Sequence, residues 1–259
     1  NLTFNTEEVY EVLSNNSSTT FPAWIKLQQS WCTSAYKTFK DYDTYLVLVY
    51  LVQQVFKKYS YRFQYLSMEE FYDNTELQIE KINLIEISKD LKIPKETIRR
   101  KINWLQNENI IYRKGKSIFL DSSIVQFQKP NISTTMMANY LEKSANFLAK
   151  EDWFGDFINK EQIQIFIEKY FTFTWQHWFK LQIPFLVRHR TFFGDLETWN
   201  IWGSIGISQY HDYAQSMKNN IIETPNNHED MYLNLLKFVP KNGINASSIS
   251  EISSIPRAT

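Results

Sequence analysis

With 28 basic and 28 acidic side chains among 259 residues, the chain has no net charge, so any affinity for nucleic acid or an anionic surface has to be local. Hydrophobic residues make up 43% and aromatics 16%, while only 6 Gly and 7 Pro are present; this composition points to one to three helix-rich domains with few tight turns. The single cysteine, Cys32, excludes an internal disulfide and a cysteine-based metal site, fits a reducing cytoplasmic setting, and reads as a small half-buried hydrophobe.

Residues 1–60 are expected to form an N-terminal helical region. The first twenty are polar and rich in Asn, Ser and Thr, with little to order them. No basic segment followed by an apolar run opens the chain at Asn1, so no signal peptide is expected, and the start at Asn1 and the stop at Thr259 read as those of a fragment. From Phe21 to Tyr59 the pattern is helical. Its most apolar part, Tyr45–Val52, is far shorter than the about 20 residues a bilayer span needs and reads as a buried helix.

A second region, 61–125, opens with a short helix predicted over Met68–Glu76. A compact helix-turn-helix pattern follows at 82–110, and Ile110–Arg113 and Ser117–Leu120 flank Lys114-Gly115-Lys116 as a hairpin. Residues 126–133, with Pro130, read as a linker. The block 134–222, dense in aromatics from Trp153 and Phe154 to Tyr210, predicts an aromatic-rich helical domain. Residues 219–230 form a second candidate linker. The last region, 231–259, holds a helical stretch Met231–Phe238, a Pro240–Gly243 turn and the start of another helix.

The most informative stretch is Ile87 to Ile111. Ile87 and Leu91 share one helix face, Ile93 sits in the turn, and Pro94 suits the first turn of the next helix, where no amide bond is lost. Ile98, Ile102 and Leu105 then repeat at helical spacing as a second buried stripe. Glu96, Arg100, Asn103 and Asn107 fall opposite that stripe, with Arg99 on the flank and Trp104 turned well away, toward a neighbouring helix or a partner subunit. Arg can bond guanine bidentately and Asn adenine, so this face has the residue types that read a major groove. Residues 89–117 contain nine basic side chains (Lys89, Lys92, Lys95, Arg99, Arg100, Lys101, Arg113, Lys114 and Lys116) and three acidic ones (Asp90, Glu96 and Glu108). That local excess suits phosphate neutralisation, the bland alternative being a solvated basic face.

In these residues the chain resembles the winged helix-turn-helix of bacterial transcriptional regulators of the Crp/Fnr and MarR types. Ile87, Leu91, Ile93, Pro94, Thr97, Ile98, Arg100, Ile102, Leu105, Ile110 and Ile111 fall on the family pattern, and Asn109 stands where the turn usually carries Gly. The resemblance implies a mainly α fold, with a winged helix-turn-helix bearing a small β-hairpin wing plus helical domains. It implies double-stranded DNA as partner, a recognition helix at 94–107 in the major groove, and a wing at 111–120 on the backbone. The DNA-contacting residues it implies, taken with the exposed face, are Lys95, Glu96, Thr97, Arg99, Arg100, Asn103, Arg113, Lys114 and Lys116.

Residues 82–97 and 244–259 align without gaps and share Ile82/Ile244, Asn83/Asn245, Ile87/Ile249, Ser88/Ser250, Ile93/Ile255, Pro94/Pro256 and Thr97/Thr259, seven identities in sixteen. Such self-similarity predicts a second helix-turn-helix, cut short where its recognition helix would begin. Ser253 replaces Leu91, and the neighbouring Ile252 is expected to fill the space.

For the aromatic block two readings stay open: helical core or dimer packing, which is favoured, and a pocket for a small-molecule effector. A homodimer is a further anticipated partner; no membrane, cofactor or metal is anticipated. His177, His189, His211 and His228 lack metal-ligand spacing, and Arg188-His189-Arg190 is expected in a solvated loop. With neither a Gly-rich phosphate loop nor a Gly-x-Ser-x-Gly elbow, no enzyme and no catalytic residue is expected. A replication or plasmid initiator and a protein-binding winged-helix scaffold are the alternatives to a regulator.

Overall fold

The computed structural model describes residues 5–61, 65–79, 82–124, 129–150, 157–240 and 243–257. Trp153, Phe154, residues 126–128 of the first linker, the centre of the Pro240–Gly243 turn and Thr259 lie outside the described residues. Among those described, twelve helices and one small antiparallel sheet form two compact units, one of residues 34–131 and 165–199, the other of residues 1–33, 132–164 and 200–259. The protein is thus mainly α-helical with a three-stranded sheet. No described helix is long and apolar enough to cross a membrane.

The chain runs through α1 (Thr6–Asn15), α2 (Ser17–Phe39), α3 (Tyr42–Tyr61), α4 (Met68–Tyr72), β1 (Leu77–Ile79), α5 (Leu84–Leu91), α6 (Lys95–Asn107), β2 (Ile111–Lys114) and β3 (Ser117–Leu120). It continues through α7 (Asn131–Lys150), α8 (Lys160–Lys169), α9 (Phe171–Phe193), α10 (Leu196–Lys218), α11 (His228–Lys237) and α12 (Ala246–Ser253). The helical pattern at 21–59 is therefore two helices. The break falls at Lys40, which takes a left-handed φ of 53°, and Asp41 caps α3 by accepting from the Asp43 amide and the Thr44 hydroxyl. The polar N-terminus is helical from Thr6, with Asn5 as cap. The helix predicted to run to Glu76 stops at Tyr72, and Leu77–Ile79 turns into an edge strand.

The unit of residues 34–131 and 165–199 is built on α3. Leu46, Val47, Leu51, Val55 and Phe56 are all but sealed from solvent, and α3 packs on α9, α6, α5 and β1. Phe56 stacks on Phe179 and meets Phe71 and Phe171 edge-on or tilted, while Trp175 closes on Phe171 and Phe179. These aromatics of α9 are thus core residues, buried where large rings remove the most surface from water. Strand order in the sheet is β1-β3-β2, with Leu77 opposite Leu120 and Ile111 opposite Leu120 on the other side.

In the unit of residues 1–33, 132–164 and 200–259, Tyr210, Tyr213 and Met231 form a core cluster with Phe21, Met217, Leu235 and Phe238 around it. Trp24 meets Tyr140 of α7 at 5.4 Å. Cys32 is fully buried rather than half-buried, and burial pushes its thiol far above its usual range.

Candidate nucleic-acid interface

α5 opens on Asn83, whose side chain accepts from the Ile85 and Glu86 amides, the arrangement favoured at helix starts. It ends on Lys92 in the left-handed region, at φ 52° and ψ 36°. The turn is clamped by the Ser88 hydroxyl, which donates to the Ile93 carbonyl at 2.6 Å. Ile87, Leu91 and Ile93 are at most 2% exposed, so the turn is anchored by apolar burial.

α6 leaves that turn at Pro94 with Glu96 in its first turn, where the helix dipole favours an acid. Ile98, Ile102 and Leu105 are buried as the spacing predicts. The helix ends on Asn109 at φ 58°; the Asn109 amide donates to Gln106 and the Ile110 amide to Leu105. This is the Schellman arrangement, with Asn in the place Gly usually takes. Gly115, at φ 64°, makes the two-residue turn joining β2 and β3; β2 starts one residue later than the expected Ile110–Arg113, and β3 spans Ser117–Leu120 as expected.

The opposite face of α6 is open. Lys95, Glu96, Arg99, Arg100, Asn103 and Asn107 are exposed and Thr97 is half-exposed. Arg99 forks onto Glu96 through two bonds of 2.9 and 2.6 Å; the pair holds the Glu96 carboxyl below and the Arg99 guanidinium above their usual ranges. Arg100 donates to the Thr97 hydroxyl at 3.3 Å. At the hairpin Arg113, Lys114 and Lys116 are exposed, and Lys114 reaches Glu76 at 2.8 Å. That hydrogen bond raises the Lys114 ammonium above its usual value. Trp104 is 38% exposed and meets Phe39 edge-on, the neighbouring-helix contact of its two expected roles.

Lys101 does not belong to the open face. It is half-buried and bonded to Asp41 at the start of α3. Burial alone would raise the Asp41 carboxyl, but the bonds from Lys101 and Thr44 and the Lys101 charge hold it below its ordinary value. Asp41 and Glu76, both outside 89–117, thus neutralise two cations of the local excess. Lys89, Lys92, Lys95, Arg113 and Lys116 stay exposed with no ion pair among the described residues, and Arg100, also exposed, acts on Glu96 through its charge.

Arg190 corrects one expectation. The Arg188–Arg190 stretch lies in α9, not in a solvated loop, and Arg190 forks onto Asp43 at 2.8 and 3.1 Å. It also donates to the Lys92 carbonyl at 3.3 Å, so it fastens α3 to the turn between α5 and α6. Tyr50 adds a third tie by donating to Asp90 of α5 at 2.7 Å. These ties run across 40 to 147 residues of chain and carry no local signature in the sequence. Among the described residues no group of three or more His, Cys, Asp or Glu could hold a metal ion. Comparison of the chain with protein families, with curated proteins and with solved structures finds no match in any of the three.

Proposed function

We propose that the protein binds double-stranded DNA sequence-specifically as a cytoplasmic bacterial transcriptional regulator, with α6 entering the major groove and the β2–β3 hairpin lying on the backbone as a wing. The observation that carries this reading is the open ridge of α6. Its apolar stripe is fully buried, and its other side presents Lys95, Arg99, Arg100 and Asn103 clear of the core. A helix held by one face and studded with Arg and Asn on the other fits a groove about 12 Å wide and offers the bidentate donors that distinguish bases.

The sheet supports the same reading. β1 pairs with β3, which pairs with the hairpin partner β2, so helix, strand, helix, helix and two strands follow in winged-helix order. The unpaired cations Lys89, Lys92, Arg113 and Lys116 surround the ridge and are available to phosphates, which set register without reading sequence. Arg99, engaged with Glu96, trades one carboxylate for a base edge or phosphate on binding.

The test is a titration of the chain against duplexes selected from a random-sequence pool, at several salt concentrations. Arg100→Ala is expected to weaken specific binding by about 1–3 kcal/mol and relax preference at one base. Lys116→Ala is expected to weaken binding to all sequences alike and reduce the salt slope by about 1. Arg100→Ala binding with unchanged affinity and preference, or no salt-dependent DNA affinity at all, overturns the assignment.

A further inference from the structure

The helix α11 carries two apolar faces. On one side Met231 is fully buried with Tyr210 and Tyr213, and Leu235 and Phe238 pack around them. On the other side Tyr232, Leu233 and Leu236 are 45, 43 and 61% exposed, and Val239, just past the helix end, is 83% exposed. Tyr232, Leu233 and Leu236 form one stripe, since positions three and four apart share a helix face. A helix at the surface of a lone chain needs one apolar stripe, with polar residues opposite. Here the outward side has the spacing of a second contact surface.

The charges on this side stand at its two ends. Glu229 lies in the first turn and Lys237 in the last, both exposed, and neither forms an ion pair among the described residues. Leu233 is midway, four residues from each. Eight residues of helix make two full turns and about 80° more, so Glu229 and Lys237 stay on the side of the stripe. Turned by half a revolution about an axis at Leu233, the face meets its own image, with acid opposite base at either end and leucine opposite leucine at the centre. An acid near a helix start and a base near its end also suit the helix dipole. The dipole asks nothing of the side they occupy, however, and both sit beside the exposed leucines.

We infer that α11 is a homodimer seam, on which a second copy of the chain lays its own α11 antiparallel about a two-fold axis at Leu233. Leu233 packs on the partner's Leu233, Tyr232 and Leu236 of both copies close over the pair, and Glu229 faces the partner's Lys237 at both ends. A two-fold interface uses the same patch on both partners and so requires this self-complementarity. The apolar centre supplies the affinity, and the two rim ion pairs fix direction and register. The seam lies outside the aromatic block 134–222, the sequence's own candidate for dimer packing. It is independent of the DNA reading of α6; with that reading, two ridges related by the axis meet an inverted repeat.

The deciding experiment is sedimentation velocity of the full natural chain over a range of concentrations, with variants at the exposed positions. Wild type is expected to pass from monomer to dimer as concentration rises. Leu233→Asp sets two carboxylates face to face on the axis and should weaken the dimer about a hundredfold, with the circular dichroism unchanged. Glu229→Lys and Lys237→Glu should each weaken it about tenfold, yet the two variants mixed should form a mixed dimer, because each supplies the sign that the other lacks. Both exchanges in one chain should restore association. A wild type that stays monomeric at every concentration overturns the inference and leaves the face to a different protein. A dimer that tolerates Leu233→Asp overturns it as well, since its seam lies elsewhere. Charge variants that associate no better mixed than alone overturn the antiparallel pairing.

Discussion

α5 and α12 share cap, length and exit geometry, yet different chemistry holds them. α5 is anchored by apolar burial: Ile87, Leu91 and Ile93 are sealed, and Arg190 and Tyr50 add polar ties at its rim. α12 is anchored by uncharged donors, with Gln29, Thr33 and Asn200 all reaching its last carbonyls while its isoleucines stay half-exposed. The shape of a helix-turn-helix entry is thus set by a few local groups: an Asn cap, a Ser-to-carbonyl clamp and a left-handed residue. What fixes that shape in the fold is free to differ. Local stereochemistry makes the motif, and packing decides how tightly it is held.

Substitutions at matched positions test this contrast, and hydrogen exchange of the amides in each helix reads the local effect without assuming that the two units unfold together. The largest difference should come from the seam. Ile87→Ala should destabilise α5 by about 2–5 kcal/mol, the range for emptying a sealed core position, whereas Ile249→Ala, at a half-exposed position, should do far less in α12. Comparable losses in both would mean that α12 is packed like α5. Next is Arg190→Ala, which strips Asp43 and the Lys92 carbonyl of a partly buried partner. A loss of about 2 kcal/mol is expected, below the 3–5 of a fully buried pair, confined to α3, α5 and α6. Protection lost equally in α12 would show that the two anchors are not independent.

The caps should behave alike, since there the two copies are the same. Asn83→Ala and Asn245→Ala should each weaken their own helix by about 1 kcal/mol, and a strong asymmetry would break the equivalence. The smallest effect is that of acid. The Asp41 carboxyl is held below its ordinary value of 3.8, so the stability it lends to the Lys101 tie of α6 is complete above that pH. It is lost as pH falls through the lowered folded value. The α12 anchor of Gln29, Thr33 and Asn200 has no titrating side chain. Acidification should therefore loosen α6 first in wild type, and Lys101→Met should abolish the difference.

The sequence made the α5–α6 pair legible because its signals are local. The Ile and Leu stripe, Pro94, and Asn109 in place of Gly each act within a few residues; the stripe and Asn109 sit where expected, and Pro94 is the cap just before the helix rather than its first residue. The likeness of the α12 cap and exit turn to those of α5 was legible for the same reason. What escaped was non-local. β1 is three residues long and becomes a strand only because β3 offers it a ladder. Lys101 counted as part of a basic face until Asp41, sixty residues away, claimed it. Arg190 carried no sign in its neighbours that Asp43 would draw it inward. The break at Lys40 is equally silent, since no Gly or Pro marks it and Asp41 acts as cap only once the turn exists. Ser253 shows the converse: the expectation that Ile252 would replace Leu91 assumed an apolar floor, and the floor here is made of amide and hydroxyl groups.

The sequestered thiol of Cys32 has a practical sequel. It is the chain's one sulfhydryl and is 2% exposed, so a maleimide or nitroxide reagent finds almost no thiolate to attack. Cysteines introduced at Lys116 and Arg257 would then take label selectively in an otherwise wild-type background. The span between the two labelled positions, with and without added duplex, becomes a spectroscopic distance.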